Sequence, residues 1–184
     1  MTVKLQRHIF TVEDYYKMAE AGILEATDRV ELINGEIIEM SPINSAHAGI
    51  VNFLSEFLTY TLYKKASICI QNPLRINNTS EPEPDVLITS YQSDNYRYRH
   101  PVPNDVLYLI EVSDSTLQYD RSTKKELYAK AGILEYWIVN IGEQQVEVFT
   151  NPKGDDYAQQ GIYTVEDELV CTTIDFKIAV KDLF

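Results

Sequence analysis

The sequence predicts an α/β fold, in which a mixed β-sheet is flanked by helices, and three observations point to it. Asn34-Gly35 between two short apolar runs is the strongest local signal for a two-residue β-hairpin. Two stretches, Ser45 to Lys64 and Tyr119 to Ala131, repeat their apolar residues at helical spacing. Short apolar runs of strand length stand before, between and after them, and such runs bury both faces only when helices cover the sheet.

The elements follow in order. Thr11 is the expected N-cap of a first helix, with Glu13 and Asp14 in its first turn and Gly22 near its end. The hairpin strands are Arg29 to Ile33 and Glu36 to Met40, and Ser41-Pro42 breaks the second. In the next helix Ile50, Leu54, Phe57, Leu58 and Thr61 share one stripe. Three apolar runs come next: Ser67 to Ile76, Asp85 to Thr89 and Val106 to Val112. The helix from Tyr119 closes at Gly132, the strand Glu135 to Val139 follows, and Gln145 to Phe149 is its antiparallel partner across Gly142-Glu143. A β-rich tail runs from Tyr163 to Phe184. The longest irregular piece, Tyr91 to Asp105, joins the second and third apolar runs, and a loop of that length is more often functional or mobile than accidental.

At 184 residues the chain is expected to form one domain, 1–184, with a core large enough to fold alone. Hydrophobic residues at 45% and charged residues at 24% are ordinary for a soluble globular protein. Cys69 and Cys171 sit far apart in apolar runs, read as reduced core residues, and have no zinc-type spacing. Met1 to His8 is short and polar, so a secretory leader is not expected, and no apolar run approaches bilayer length. A cytoplasmic protein without membrane contact is expected. The net charge of −12 opposes encounter with a polyanion, although it leaves room for local basic patches.

Chemistry concentrates between Glu83 and Trp137. Pro84 cannot donate to a sheet ladder and belongs at a strand start, so Asp85 stands at the sheet rim; alternatively it is a turn aspartate. Glu111 interrupts the run Val106 to Val112. A carboxylate there is costly unless paired or metal-bound, and a solvated face would expose Leu109 as well. At about 100° per residue, Lys124 shares a helix face with Leu127, Tyr128 and Ala131, whereas Lys125 lies off it. Lys124 therefore points toward the sheet, or else snorkels with its stem over Tyr128. Asp120 is read as the N-terminal cap of this helix.

These residues carry a family resemblance. Glu31-Leu32-Ile33-Asn34-Gly35-Glu36, Met40-Ser41-Pro42, His47, Pro84-Asp85, Glu111-Val112-Ser113, Asp120-x-x-x-Lys124-x-x-x-Tyr128-Ala129 and the run Gly132 to Val139 together resemble the Uma-type restriction endonuclease family, a branch of the PD-(D/E)XK nuclease superfamily. The resemblance spans Thr11 to Phe184. It implies a restriction-endonuclease-like core of four strands flanked by helices, with a Mg²⁺ (or Mn²⁺) site at one edge. Asp85 and Glu111 would be the metal-binding acids, and Glu31 the additional acid. The superfamily's usual lysine position is Ser113 here, so Lys124 would inherit that role. The implied reaction is endonucleolytic hydrolysis of DNA by metal-activated water. A homodimer is expected from the need to cut two strands.

Other residues have narrower claims. Glu31 is also readable as an outward charge paired across the hairpin, and His47 as a boundary histidine that the family pattern would use to orient an acid or a phosphate. Tyr96-Arg97-Tyr98-Arg99-His100 interleaves bases with aromatics, a pattern that grips phosphates and stacks on bases, or else forms a dimer contact or solvated loop. Two rival functions stay open: a nuclease fold that has lost catalysis and serves in binding or assembly, and a metal-dependent hydrolase on a smaller or noncanonical substrate. A Gly-rich dinucleotide fingerprint, a phosphate-binding P-loop and a Gly-x-Ser-x-Gly elbow are all absent from the sequence.

Overall fold

A computed structural model describes residues 7–25 and 27–184. Met1 to Gln6 of the polar opening segment lie outside the described residues. Helix α1 (Val12–Glu20) begins as expected: Thr11 Oγ1 accepts the Asp14 N–H, and the Asp14 carboxylate accepts the Thr11 N–H, a reciprocal capping box. Strands β1 (Val30–Ile33) and β2 (Glu36–Glu39) pair antiparallel across Asn34 and Gly35, whose φ values of 51° and 77° are those of a primed hairpin turn. The hairpin is not part of the main sheet. It docks through Leu32 against Glu81, and Glu81 is itself buried against Arg75 and the Tyr16 hydroxyl.

Helix α2 (Ser45–Thr61) starts at Asn44, whose Oδ1 accepts the His47 N–H, and it buries Ile50, Val51, Leu54 and Leu58. Six strands make the main sheet in the order β3-β4-β5-β6-β7-β8: β3 (Ala66–Ile70), β4 (Val86–Ser90), β5 (Val106–Ser113), β6 (Glu135–Asn140), β7 (Gln145–Lys153) and β8 (Asp156–Thr164). Only β5 and β6 are parallel. Parallel neighbours need a crossover, and here it is helical: α3 (Leu117–Tyr119), a π-helical turn (Asp120–Lys124) and α4 (Lys125–Lys130). The four-stranded mixed core expected from the sequence is β3 to β6, and β7 and β8 widen it.

Alternation along β5 separates two cores. Tyr108, Ile110 and Val112 face α2 and the C-terminal tail, where β9 (Glu168–Val170) pairs with β10 (Lys177–Ala179). Leu109 faces the other way, under Tyr128, Ala129 and Ile133. Glu135 ties the tail to the sheet. Its carboxylate accepts from Trp137 Nε1 and from the Thr172 N–H and hydroxyl.

Two sequence expectations change. The third-strand run Ser67 to Ile76 stops at Ile70, because Gln71 turns to φ 49° and Asn72-Pro73 cannot continue a ladder; Leu74 then enters the core under α4. The β-rich tail begins earlier than Tyr163, since Gly154 (φ 68°) turns β7 back into β8. Both cysteines are free. Among the described residues no helix is long and apolar enough to cross a membrane.

Candidate active site

The site forms where four elements converge. Strands β4 and β5 are antiparallel with Val86 opposite Ile110, so the residue before β4 meets the residue after Ile110. Asp85 and Glu111 are therefore neighbours: the Asp85 N–H lies 3.4 Å from Glu111 Oε2, and the Val112 N–H donates to Asp85 Oδ2 at 2.9 Å. Glu111 is 3% exposed on the face covered by α4, beside an equally buried Leu109, which removes the solvated-face reading. Lys124 enters from the π-helical turn, 5% exposed, with Nζ 3.0 Å from Glu111 Oε1 and 3.3 Å from Glu31 Oε2. Neither the snorkelling lysine nor the outward hairpin charge survives, for Glu31 is also buried and accepts the Glu83 N–H. Lys125 lies off this face, pairing with Asp156.

A second layer fixes the acids. His47, in the first turn of α2, places Nε2 3.1 Å from Asp85 Oδ2, an oxygen that can only accept, and Gln71 Nε2 donates to Asp85 Oδ1. The Tyr128 hydroxyl donates to Glu111 Oε1 at 2.7 Å. Asp120 is not the helix cap that its position suggested. The helix already starts at Leu117, so Asp120 falls within it, buried, with Oδ2 accepting from the Ser113 and Thr116 hydroxyls at 2.6 and 2.7 Å. Ser113 thus donates to a buried acid.

The two central acids are driven apart electrostatically. Burial acts against the Asp85 anion, yet the bond and charge of His47, the Val112 N–H and Gln71 outweigh it and hold the carboxyl below its ordinary value. Glu111 lacks that compensation: burial pushes it up to about 8, opposed by the Lys124 ammonium and reinforced by the charges of Asp85, Asp120 and Glu31. Burial works against the Lys124 cation, but Glu111 and Glu31 more than restore it and carry its pKa well above the usual lysine range.

Of these side chains Glu31, His47, Asp85, Glu111, Asp120 and Lys124 line a cleft of about 270 Å³. Seven acids border it against Arg29 and Lys124. Among the described residues no three His, Cys, Asp or Glu side chains already stand as a ligating group. The donor set nevertheless suits a hard divalent cation. Asp85 Oδ1 and Glu111 Oε2 each carry a single protein hydrogen bond, and Mg²⁺ commonly takes one or two carboxylates with water and phosphate completing its shell.

The segment Tyr96 to His100 does not join this cluster. It lies in the loop between the opposite ends of β4 and β5, and five residues of β4 put it roughly 15 Å away. Tyr96 bonds the Ser90 carbonyl, Arg99 grips Asp105 and stacks on Tyr96, while Tyr98 is 82% exposed. Sequence reasoning passed over Asp120 and Tyr119 as lining residues of the cleft and Tyr128 as a buried partner of Glu111. The i, i+4 spacing from Asp120 to Lys124 to Tyr128 was the available signal, since an inward Lys124 brings both neighbours with it.

No curated protein matches the chain. A crystal structure described as a "putative nuclease belonging to DUF820" from Anabaena variabilis ATCC 29413 matches with a TM-score of 0.72, covering 95% of this chain and 97% of that one. At 15% identity this likeness carries the fold alone. The family evidence is separate and comes from the sequence. The profile of the Uma2 family, described as "Putative restriction endonuclease", matches residues 12–181, and the chain therefore belongs to that family.

Proposed function

We propose that this protein is a divalent-metal-dependent endonuclease that hydrolyses phosphodiester bonds of DNA. The observation that carries the reading is the convergence of Asp85, Glu111, Glu31 and Lys124, from four separate elements, into one buried cluster at the wall of a cleft. Asp85 and Glu111 would hold Mg²⁺ or Mn²⁺, with Glu31 as the further acid. Bound there, the ion would supply a Lewis acid for the phosphoryl oxygen and make a water more acidic.

The protein's own groups do the rest. His47 and Gln71 fix the Asp85 carboxylate, and Tyr128 fixes Glu111. Lys124 is placed to offset charge that develops on the phosphate. Arg97 and Tyr98, exposed at the other end of β4 and β5, are proposed to touch flanking nucleic acid, and cutting both strands of a duplex would use two copies of the chain. The excess of acids around the cleft favours one second reading, a hydrolase on a smaller or noncanonical nucleic-acid substrate.

Calorimetric titration of Mg²⁺ and Mn²⁺ tests the reading without knowledge of a target sequence. Wild type is expected to bind, and binding is expected to fall below detection in folded Asp85→Asn and Glu111→Gln variants. Full binding in both variants would remove the two-carboxylate site.

A further inference from the structure

Among the described residues four buried side-chain atoms have no hydrogen-bond partner: His47 Nδ1 and the hydroxyls of Tyr108, Tyr119 and Tyr157. Such groups are uncommon in native proteins, because an unpaired buried donor forfeits its hydration without compensation. Tyr108 and Tyr157 belong to the two apolar cores. Tyr119 does not. It is half-buried at the end of α3 and lines the cleft, with its hydroxyl in the field of Glu31, Lys124, Asp120 and Glu111.

One oxygen of each surrounding acid is already served. Asp120 Oδ2 receives two hydroxyls, Glu111 Oε1 receives Lys124 and Tyr128, and Glu31 Oε2 receives the Glu83 N–H and lies against Lys124. Lys124, Tyr128, Ser113 and His47 thus each give a hydrogen to a carboxylate, while Tyr119 gives its own to none. A donor left over in an acid-rich cleft fits an incoming acceptor. A phenol also adds that donor without a cation that would compete with a metal ion for the carboxylates.

We propose that Tyr119 is a catalytic residue of the nuclease reading above, its hydroxyl donating to a non-bridging oxygen of the phosphodiester that enters the cleft. The chemical class of the ligand follows from the site. An anion is drawn to so acidic a cleft only together with a divalent cation, and a phosphodiester offers an oxygen to each.

Tyr119→Phe tests this, with Tyr157→Phe as the control for an unpaired hydroxyl remote from the cleft. Deleting a hydroxyl that bonds nothing in the free protein should leave the Tm of Tyr119→Phe equal to or above wild type. With Mn²⁺ present, its kcat on bis(p-nitrophenyl) phosphate should fall about 10²-fold, as for the loss of one donor to a developing oxyanion. Its affinity for a thymidine dinucleotide in Ca²⁺ should weaken about tenfold, while Mn²⁺ affinity stays at the wild-type value. Tyr157→Phe should match wild type in every assay.

A drop of about 2–4 °C in the Tm of Tyr119→Phe would show that the hydroxyl already bonds within the free protein, and would overturn the proposal. Unchanged kcat and dinucleotide affinity would overturn it too, leaving the nuclease reading intact. A wild-type protein that binds neither Mn²⁺ nor the dinucleotide would remove both.

Discussion

Replacing Lys124 by methionine is expected to destabilise the protein by roughly 3–5 kcal/mol, the range for breaking a buried ion pair by removing one partner. Methionine keeps the length of the stem, so the loss isolates the charge. The Lys124 ammonium faces Glu111 at 3.0 Å and Glu31 at 3.3 Å, all three buried, and no other lysine or arginine forms an ion pair with either acid among the described residues. For a chain of this size the drop in Tm is roughly 10 °C.

The loss should also depend on pH. Glu111 has its folded pKa raised above the ordinary value of 4.5, to about 8. A raised carboxyl contributes stability that is fully present below its unfolded pKa and is lost as pH rises through the folded one. The variant should therefore lie nearest to wild type at about pH 5, where Glu111 holds its proton, and furthest from it above pH 8. Urea unfolding at the two pH values measures both effects. A variant as stable as wild type at pH 8.5 would show that Lys124 is not the countercharge of the cluster.

Metal affinity is expected to rise about tenfold per pH unit between pH 6 and 8, roughly a hundredfold in all, and to level off above 8. The ligating form of Glu111 is the anion. Burial keeps this carboxyl protonated below about 8, so an ion binding there must expel the proton. Asp85 adds no slope in this window, since His47, Val112 and Gln71 hold it ionised below the ordinary carboxylate range. Titrating Mn²⁺ in two buffers of different ionisation enthalpy gives the proton count directly. About one proton should be released per ion at pH 6.5 and none at pH 9. A flat affinity profile with no proton release would exclude Glu111 as a ligand whose burial must be overcome.

How far the sequence spoke for itself depended on whether the deciding forces were local. The N-cap at Thr11 and the two-residue turn at Asn34-Gly35 are decided by short-range contacts within a few residues, and both formed as read. Asp85 and Glu111 stood out because an acid beside a strand start or inside an apolar run needs a partner, whatever the fold. The inward face of Lys124 followed from helical phase alone. Asp120 was misread because the helix starts three residues earlier, and nothing local marks Leu117 as its first residue. Strand β8 escaped because an edge strand with mostly exposed side chains lacks the apolar signature of its neighbours.

The sequence by itself determined the fold class, the hairpin, the two long helical segments and the identity of the acids and the lysine. Only the tertiary structure decided which of them meet. Antiparallel pairing of β4 with β5 brings the head of one strand to the tail of the other, so Asp85 joins Glu111, while the same reversal carries Tyr96 to His100 to the far end of the sheet. Docking of the hairpin turns Glu31 from a surface charge into a buried partner of Lys124, and the crossover helix brings Asp120 and Tyr119 to the cleft and Tyr128 to Glu111. These are contacts between residues distant in sequence. Periodicity and propensity report a residue's neighbours along the chain, whereas burial and charge pairing across the sheet arise only once distant elements have packed.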